Sequence, residues 1–284
     1  MFVPGDKERF LNKAAAAGVD AVFLDLEDGV LPANKESART LVCDALAIEP
    51  FKPERYVRIN SIGSPWYEDD LQAVVRAGAG GVCVPKVDSV AQVEAVTARL
   101  TELESNNGRA EGSVMIVAAI ESATAILSAP TIAGSSPRVV ALMLGAEDLA
   151  LDLGLSTRRG GAAAELLYAR SAVVYAAAAA GVMSIDGVFP DLDDPEGFLA
   201  DAVLARELGF TSKSTFNPRQ IEVLNETFSP SPGEISYAQE VVKAFEAAAA
   251  SGDASVAVGG QLVDMPIVRR AERVLAIATT LGLL

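Results

Sequence analysis

Two acidic residues follow apolar segments that have the composition of buried β-strands. Glu121 comes directly after the segment 114–120, and Asp148 follows the segment 139–144 after a Gly-Ala-Glu turn. Hard divalent cations such as Mg²⁺ bind carboxylate oxygens, and waters and substrate oxygens complete their coordination. On neighbouring parallel strands the two carboxylates would lie side by side, where like charges need a shared proton or cation. The pair therefore predicts a site for a hard divalent cation, Mg²⁺, Mn²⁺ or Ca²⁺, unless each carboxylate simply caps the helix that follows.

Two basic residues lie in or after apolar segments of the same kind. Arg58 lies inside one of them and needs an anionic partner if it is buried. It would bind a substrate carboxylate or a developing oxyanion, or it would form an internal ion pair with Glu27 or Asp28. Lys86 follows the next segment and would be either a Schiff-base lysine or a counter-charge for the carboxylates. The spacing leaves both alternatives open for each residue.

The chain contains no histidine among its 284 residues. Ser-His-Asp triads, Cys-His pairs and imidazole metal ligands are therefore excluded. The net charge of −15 argues against nucleic-acid binding, which needs a basic face. No apolar segment approaches the roughly 18 residues that cross a bilayer, and no secretory signal pattern is present. We therefore expect no membrane partner and a cytoplasmic location.

Eight short apolar segments alternate with helix-like segments. The predicted strands are 2–4, 21–26, 56–60, 81–85, 114–120, 139–144, 183–188 and 211–216. This alternation predicts a parallel sheet that is covered on both faces. Eight such units predict an α/β fold of the (β/α)₈ TIM-barrel type, whose active site lies at the carboxyl ends of the strands. An open doubly wound sheet is less favoured, because no Gly-x-Gly-x-x-Gly turn follows an early strand.

The chain continues beyond the predicted barrel. We predict a catalytic barrel domain over residues 1–228 and a small C-terminal helical extension or lid over 229–284. Helices are predicted over 234–250 and 267–281, with a Gly- and Ser-containing stretch between them. Such an extension would cover the barrel mouth or reach a neighbouring subunit.

Four charged residues outside the strands are further candidates. Asp264 precedes Met-Pro at the start of the last helix, where its local context favours a helix cap. Lys7, Arg9 and Lys13 follow the first strand. They would form either a solvated face or a basic patch at which phosphates dock.

A set of motifs resembles a known family. In order along nearly the whole chain, the sequence contains FVPGDKERFLNKAAAAGVDAVFLDLEDGV, KESAR, RIN, VPKV, AAIES, LMLGAEDLALDLG and GGQLVDMP. Together they resemble the citrate lyase β-subunit-like group of the HpcH/HpaI aldolase superfamily, which includes malyl-CoA and citramalyl-CoA lyases. The resemblance implies a (β/α)₈ barrel that assembles as a trimer or a dimer of trimers. It also implies a Mg²⁺-dependent lyase that cleaves or forms the carbon–carbon bond of a 3-hydroxyacyl-CoA thioester, with an α-keto acid and an acyl-CoA as the fragments.

The resemblance assigns roles to the candidate residues by position. Glu121 and Asp148 would bind Mg²⁺. Arg58 would bind the keto-acid oxygen and stabilise the charge on it. Asp264 would enter the site of an adjacent subunit and handle the proton at the thioester α-carbon.

The resemblance also implies how the two ends of the substrate are held. Backbone amides around Gly145, Ala146 and Glu147 would bind the keto-acid carboxylate. The CoA would lie near the basic residues Lys7, Arg9 and Lys13.

The chain departs from the family pattern after the last strand. Members often have Gly-Lys and His-Pro there, whereas this chain has Ser212-Lys213 and Asn217-Pro218. The acyl substrate therefore stays open. The alternatives are a citrate lyase β subunit acting on a citryl thioester of an acyl carrier protein, a malyl-CoA thioesterase, a non-catalytic assembly subunit, and a metal-free Schiff-base aldolase that uses Lys86.

Overall fold

The chain forms two compact units, Met1–Glu222 and Val223–Leu284. The computed structural model describes residues 1–155 and 163–284. Within these ranges, no helix combines the length and the apolar character that a membrane crossing requires. Each unit has its own hydrophobic core.

The first unit is built around a sheet of eight parallel strands. The strands are β1 (Phe2–Pro4), β2 (Ala21–Asp25), β3 (Glu54–Arg58), β4 (Gly81–Val84), β5 (Met115–Ile120), β6 (Val139–Leu144), β7 (Met183–Asp186) and β8 (Ser212–Lys213). Each strand pairs with the next along the chain, and within the described residues the ladder stays open between β8 and β1. There the Phe2 N–H donates a hydrogen bond to the Thr215 carbonyl at 2.7 Å. The predicted α/β class and the eight parallel strands in sequential order are confirmed in this coarser form of a curled, open sheet.

Helices follow the strands. They are α1 (Glu8–Ala14), α2 (Lys35–Leu46), α3 (Tyr67–Arg76), α4 (Val90–Asn106), α5 (Ala123–Ala133), α6 (Ala146–Asp152), α7 (Leu167–Ala180), α8 (Pro195–Leu208) and α9 (Ile221–Phe228). Side chains that accept first-turn amides fix several helix starts, because these amides have no intrahelical acceptor. Ser122 accepts from the Ala125 N–H at the start of α5. By contrast, α6 starts after Gly145 without a side-chain cap.

The inner face of the sheet is apolar until it reaches the carboxyl ends of the strands. Its buried core comprises Phe23, Cys83, Val117, Ala119, Ala141, Met143 and Ile185. Side chains that share a face are two residues apart along a strand. The same face therefore continues from Phe23 to Asp25 and from Ala119 to Glu121. Because Asp25 is in register with Arg58 on β3, the apolar core ends in a charged layer.

The second unit begins within α9 and continues with two further helices and a β-hairpin. These elements are α10 (Pro232–Ala250), β9 (Val256–Val258), β10 (Gln261–Val263) and α11 (Met265–Thr280). The hairpin turns at Gly259 and Gly260, whose φ angles of +54° and +79° are those of a turn that favours glycine. The sequence predicted the two helices and treated the stretch between them as a connection, whereas the structure places a hairpin there.

Candidate active site

The charged layer faces a cavity of about 840 Å³ in the first unit. This volume lies in the range of small-molecule sites. The charged side chains at its wall include Asp25, Asp28, Arg58, Glu121, Glu147 and Asp148. Apolar side chains of α1, of the turn after it and of the segment after β8 also line the cavity, among them Phe10, Ala14, Ala17, Phe216, Pro218 and Ile221. The cavity therefore combines a polar region with an apolar one.

Arg58 is held by two carboxylates. Its Nε and Nη2 donate to Asp25 Oδ1 and Oδ2 at 2.7 and 2.6 Å, and its Nη1 lies 3.2 Å from Glu27 Oε2. Asp25 also accepts the N–H groups of Glu27 and Gly29, at 2.9 and 3.0 Å. Burial lowers the pKa of Arg58, but the hydrogen bonds and charge of Asp25 outweigh it and raise that pKa. The internal ion pair is present, with Glu27 as predicted and with Asp25 as the partner that the sequence did not identify, and it fixes a permanent positive charge beside the cavity.

Glu121 is buried against the turn that precedes α6. A Cβ at position 145 would lie 2.3 Å from Glu121 Cγ and 2.6 Å from its Oε1, so Gly145 is required for this packing. Glu121 Oε2 accepts the Lys86 N–H at 3.2 Å. Burial and the charges of Glu27 and Asp148 raise the pKa of Glu121 to about 7. A nearby cation would therefore stabilise the ionised form of this carboxylate.

Asp148 forms an ion pair with Lys86. The Lys86 Nζ lies 3.2 Å from Asp148 Oδ1, and the side chains are 45% and 34% exposed. Burial lowers the pKa of Lys86, but its hydrogen bond to Asp148 and the charge of Asp148 outweigh this and raise the pKa. A Schiff-base lysine needs a lowered pKa. The geometry therefore favours the counter-charge interpretation of Lys86 over the nucleophile.

The two carboxylates fit a Mg²⁺ ion. Proteins usually hold Mg²⁺ through one or two carboxylates and leave the other positions to waters and substrate oxygens. Glu121 and Asp148 both line the cavity, and the charge of Asp148 contributes to the raised pKa of Glu121, which a bound cation would offset. In the described ranges, no group of three or more Cys, Asp or Glu side chains could hold a metal alone. Glu121 and Asp148 would therefore leave several coordination positions for the substrate.

The turn between β6 and α6 contains the amides predicted to bind a carboxylate. The Gly145 N–H instead donates to the Ile120 carbonyl at 3.0 Å, which continues the pairing of β5 and β6. Gly145 thus contributes the space for Glu121 and not its amide. Ala146 and Glu147 begin α6 and line the cavity. Their amides are the remaining candidates for the predicted contact.

The three basic residues predicted to hold CoA are not equivalent. Of the three, Lys13 lines the cavity. Lys7 is exposed and pairs with Asp6 at 3.0 Å, and neither Lys7 nor Arg9 is part of the described cavity wall. The sequence prediction missed the apolar wall, although Phe10, Ala14 and Ala17 had the i, i+4, i+7 spacing of one helix face.

Asp264 lies in the second unit at the start of α11. Its side chain is exposed and makes no capping hydrogen bond, while its carbonyl accepts the N–H groups of Ile267 and Val268 at 3.0 Å. The helix-cap interpretation therefore fails for its carboxylate, which stays available to other partners.

Other polar residues near the strand ends belong to buried networks. Asn60 donates to Asp70 Oδ2 at 2.6 Å and accepts from Lys35 Nζ at 2.7 Å. Asp186 Oδ2 accepts from Arg170 and Lys213, at 2.7 and 2.6 Å. These side chains bind one another and do not form the wall of the cavity.

The residue that replaces the family histidine has a local role. Asn217 Oδ1 accepts the Arg219 N–H at 3.1 Å and so starts a short 3₁₀ turn, Pro218–Gln220. Pro218 lines the cavity immediately after it. The departure therefore affects the backbone of the cavity wall after β8.

Comparisons with known proteins agree over most of the chain. A family model described as "HpcH/HpaI aldolase/citrate lyase" matches residues 1–218. Citrate lyase subunit beta of Leuconostoc mesenteroides subsp. cremoris is 41% identical over 279 residues, which cover 98% of this chain and 92% of that protein. L-malyl-CoA/beta-methylmalyl-CoA lyase of Cereibacter sphaeroides is 35% identical over 291 residues, covering 96% and 91%. The crystal structure of protein CitE from Mycobacterium tuberculosis in complex with magnesium, acetoacetate and coenzyme A has a TM-score of 0.80 and 34% identity, covering 98% of this chain and 96% of that one.

Proposed function

The chain belongs to the HpcH/HpaI aldolase/citrate lyase family, and on this basis we propose that it is a Mg²⁺-dependent carbon–carbon lyase. Its substrate is a 3-hydroxyacyl-CoA thioester such as malyl-CoA or citramalyl-CoA. Cleavage gives an α-keto acid and an acyl-CoA, and the reverse reaction joins them. The observation that carries the proposal is the pair of cavity-facing carboxylates, Glu121 and Asp148, in the same cavity wall as the fixed charge of Arg58.

Glu121 and Asp148 hold the metal ion. Their oxygen donors suit a hard cation, for which Mg²⁺ is the first choice and Mn²⁺ the second. When bound, the ion supplies a Lewis acid for the oxygen that becomes the keto-acid carbonyl. The magnesium in the CitE complex supports this assignment.

Arg58 stabilises negative charge on the keto-acid oxygen. Because Asp25 holds the guanidinium through two hydrogen bonds, its charge is oriented before the reaction begins. The amides of Ala146 and Glu147 bind the keto-acid carboxylate at the start of α6. Both contacts hold the keto-acid part of the substrate, so that the bond from its carbinol carbon is oriented for cleavage.

The bond changes are those of a retro-aldol cleavage. The substrate hydroxyl gives its proton to water in the cavity, and the bond between the carbinol carbon and the thioester α-carbon breaks. The electron pair of that bond passes to the thioester fragment as an enolate, and the carbinol carbon becomes a carbonyl. A proton must then reach the α-carbon to give the acyl-CoA.

Asp264 handles this last proton in the site of a neighbouring copy. Its exposed carboxylate, which makes no capping bond in its own helix, supports this role. The proposal includes a homo-oligomer, a trimer or a dimer of trimers, in which residues 229–284 extend toward a neighbour. Exposed apolar side chains on α6 and α7 favour an interface between copies, since Leu151, Tyr168 and Tyr175 are 80%, 70% and 77% exposed.

The CoA moiety binds at the apolar part of the cavity. Lys13 supplies a positive charge at that wall, and Lys7 and Arg9 of the same segment would meet the phosphates farther out. The bond between Phe2 and Thr215 also supports closure of the sheet into a complete (β/α)₈ barrel. A cytoplasmic location remains a prediction.

One observation favours a second function within the family. The 41% identity to a citrate lyase subunit beta supports a citryl thioester on an acyl carrier protein as the alternative substrate. A carrier protein would present the same thioester to the same charged residues, so the two substrates differ outside the reacting atoms.

The decisive experiment is an assay of the purified protein with malyl-CoA, citramalyl-CoA and citryl-CoA, with and without EDTA. We expect an α-keto acid and an acyl-CoA to form with Mg²⁺ present, whereas free CoA with a hydroxy acid would indicate a thioesterase. Asp148→Ala should lower turnover by at least about 10³-fold, because Lewis-acid catalysis is worth several kcal/mol. Asp44→Ala, an exposed position on α2, serves as the matched control. Turnover that survives complete metal removal would refute the proposal.

A further inference from the structure

Lys86 contacts both proposed metal ligands through two different groups. Its backbone N–H donates to Glu121 Oε2, and its ammonium pairs with Asp148 Oδ1, each at 3.2 Å. The two contacts act on their carboxylates in different ways. The amide contact orients a carboxylate, whereas the ammonium contact presents a cation to it.

The backbone of Lys86 is set for the amide contact. Its φ of +54° lies in the left-handed region, which residues with a Cβ adopt at a conformational cost. Such conformations concentrate at functional sites, where the surrounding structure enforces them. The strain directs the N–H of Lys86 to Glu121 while the side chain extends to Asp148.

We propose that the Lys86 ammonium is an internal competitor of Mg²⁺, because both cations share Asp148 as their partner. The inference rests on the proposed metal site and assigns a further residue to it. Two cations on one carboxylate repel each other, so metal binding requires the ammonium to withdraw. Its side chain is nearly half exposed, which leaves it room to move.

The surrounding charges give the withdrawn ammonium other partners. After Asp148, the carboxylates whose charges act most strongly on Lys86 are Glu27 and Asp28. In the pair with Asp148, the ammonium offsets the repulsion among Glu27, Glu121 and Asp148. Lys86 therefore holds the acidic ligands together at the cost of lower affinity for the metal.

The test is the Mg²⁺ affinity of the full-length protein, measured by titration calorimetry with MgCl₂ after EDTA treatment and desalting. Lys86→Met removes the charge and keeps the apolar stem and the backbone amide. A partly exposed ion pair changes an equilibrium constant by a factor of up to about five, and relief of repulsion adds a similar factor. We expect Lys86→Met to bind Mg²⁺ about tenfold more tightly, and Lys86→Arg, which keeps the charge, to stay near wild type.

Controls separate this effect from a general change in charge. Lys52→Met removes the same charge from an exposed residue that precedes β3 at the opposite end of the sheet, and it should bind Mg²⁺ as wild type does. Thermal unfolding gives a second readout, since tighter binding makes a given Mg²⁺ concentration raise the Tm of Lys86→Met more than that of wild type. Lys86→Gln repeats both measurements with a polar side chain if the methionine variant folds poorly.

The outcomes distinguish the two proposals. If wild type binds Mg²⁺ and both uncharged variants bind it equally or more weakly, competition by Lys86 is refuted while the metal site stands. If wild type and Asp148→Ala both show no Mg²⁺ binding, the proposed metal site itself fails, and the role of Lys86 fails with it.

Discussion

Gly145→Ala tests the proposed metal site through one added methyl group. The backbone at Gly145 has φ −94° and ψ 86°, so the φ angle is accessible to alanine. The new Cβ would instead lie 2.3 Å from Glu121 Cγ and 2.7 Å from its Cδ. Since carbon atoms in contact lie about 3.5 to 4.0 Å apart, the Glu121 carboxylate has to move by more than about 1 Å.

Two effects of this displacement can be measured. Overpacking of a buried site costs about 1–3 kcal/mol, which urea denaturation detects as a lower free energy of unfolding. A shift of about 1 Å in a reacting group costs about 10²-fold in rate, and the loss of one of two carboxylate ligands weakens Mg²⁺ binding. We expect Gly145→Ala to bind Mg²⁺ at least about tenfold more weakly by calorimetry and to retain its circular dichroism.

Gly134→Ala is the matched control. Gly134 has nearly the same φ, −93°, and a Cβ there would meet its nearest neighbour, the Pro130 carbonyl, at 3.8 Å. This variant should keep both stability and metal affinity. If Gly145→Ala binds Mg²⁺ as tightly as Gly134→Ala does, Glu121 is not a ligand held against this turn.

Three further changes have definite expected outcomes. Asp25→Asn leaves Arg58 without its main partner, so urea denaturation should show a loss of about 3 kcal/mol and kcat/KM should fall more than Mg²⁺ affinity; an unchanged kcat/KM would remove Arg58 from the reaction. Burial acts to raise the pKa of Glu104, but the hydrogen bonds of Arg138 and of backbone amides lower it from 4.5 to about 2. Because the folded value lies below the unfolded one, this pair contributes about 3 kcal/mol above pH 4.5 that is lost as the pH falls toward 2; Glu104→Gln should flatten this part of the stability curve, and an unaltered curve would contradict the assignment. Mixed Arg58→Ala and Asp264→Ala proteins should recover turnover through hybrid oligomers, and no recovery despite demonstrated subunit exchange would count against a shared site.

The succession of strands was the part of the fold that the sequence predicted best. Short apolar segments that alternate with helix-like ones predicted the eight parallel strands, and the resemblance to the HpcH/HpaI aldolase superfamily is confirmed. The strand pattern also predicted that Glu121 and Asp148 follow neighbouring strands, and the pairing of β5 with β6 confirms this. The hairpin of the second unit was missed because its strands have three residues each and flank a Gly-Gly turn in a Gly- and Ser-containing stretch, which indicates a connection.

The partners of charged residues were harder to predict. Buried charges must be paired, but a sequence does not say which residue of which helix supplies the partner. Asn60 and Asp186 lie near strand ends, as Glu121 does, yet α3 and α7 supply them with Asp70 and Arg170.

Local backbone geometry explains the other differences. The left-handed φ of Lys86 directs its amide to Glu121, and nothing in the residue type indicates that conformation. The amide of Gly145 belongs to the sheet because the pairing of β5 with β6 continues one residue beyond the predicted strand.

The thiol in the inner face of the sheet gives the protein an unusual response to oxidants and alkylating reagents. Cys83 is fully buried, and burial raises the pKa of its thiol, so the reactive thiolate is scarce. Peroxide and maleimides therefore react with it slowly, because a motion of the sheet or of the cavity wall that Cys83 lines must first expose its sulfur. The half-buried Cys43 on α2 reacts through smaller openings. The difference between the two labelling rates therefore measures how often the sheet or the cavity wall opens beneath the charged layer.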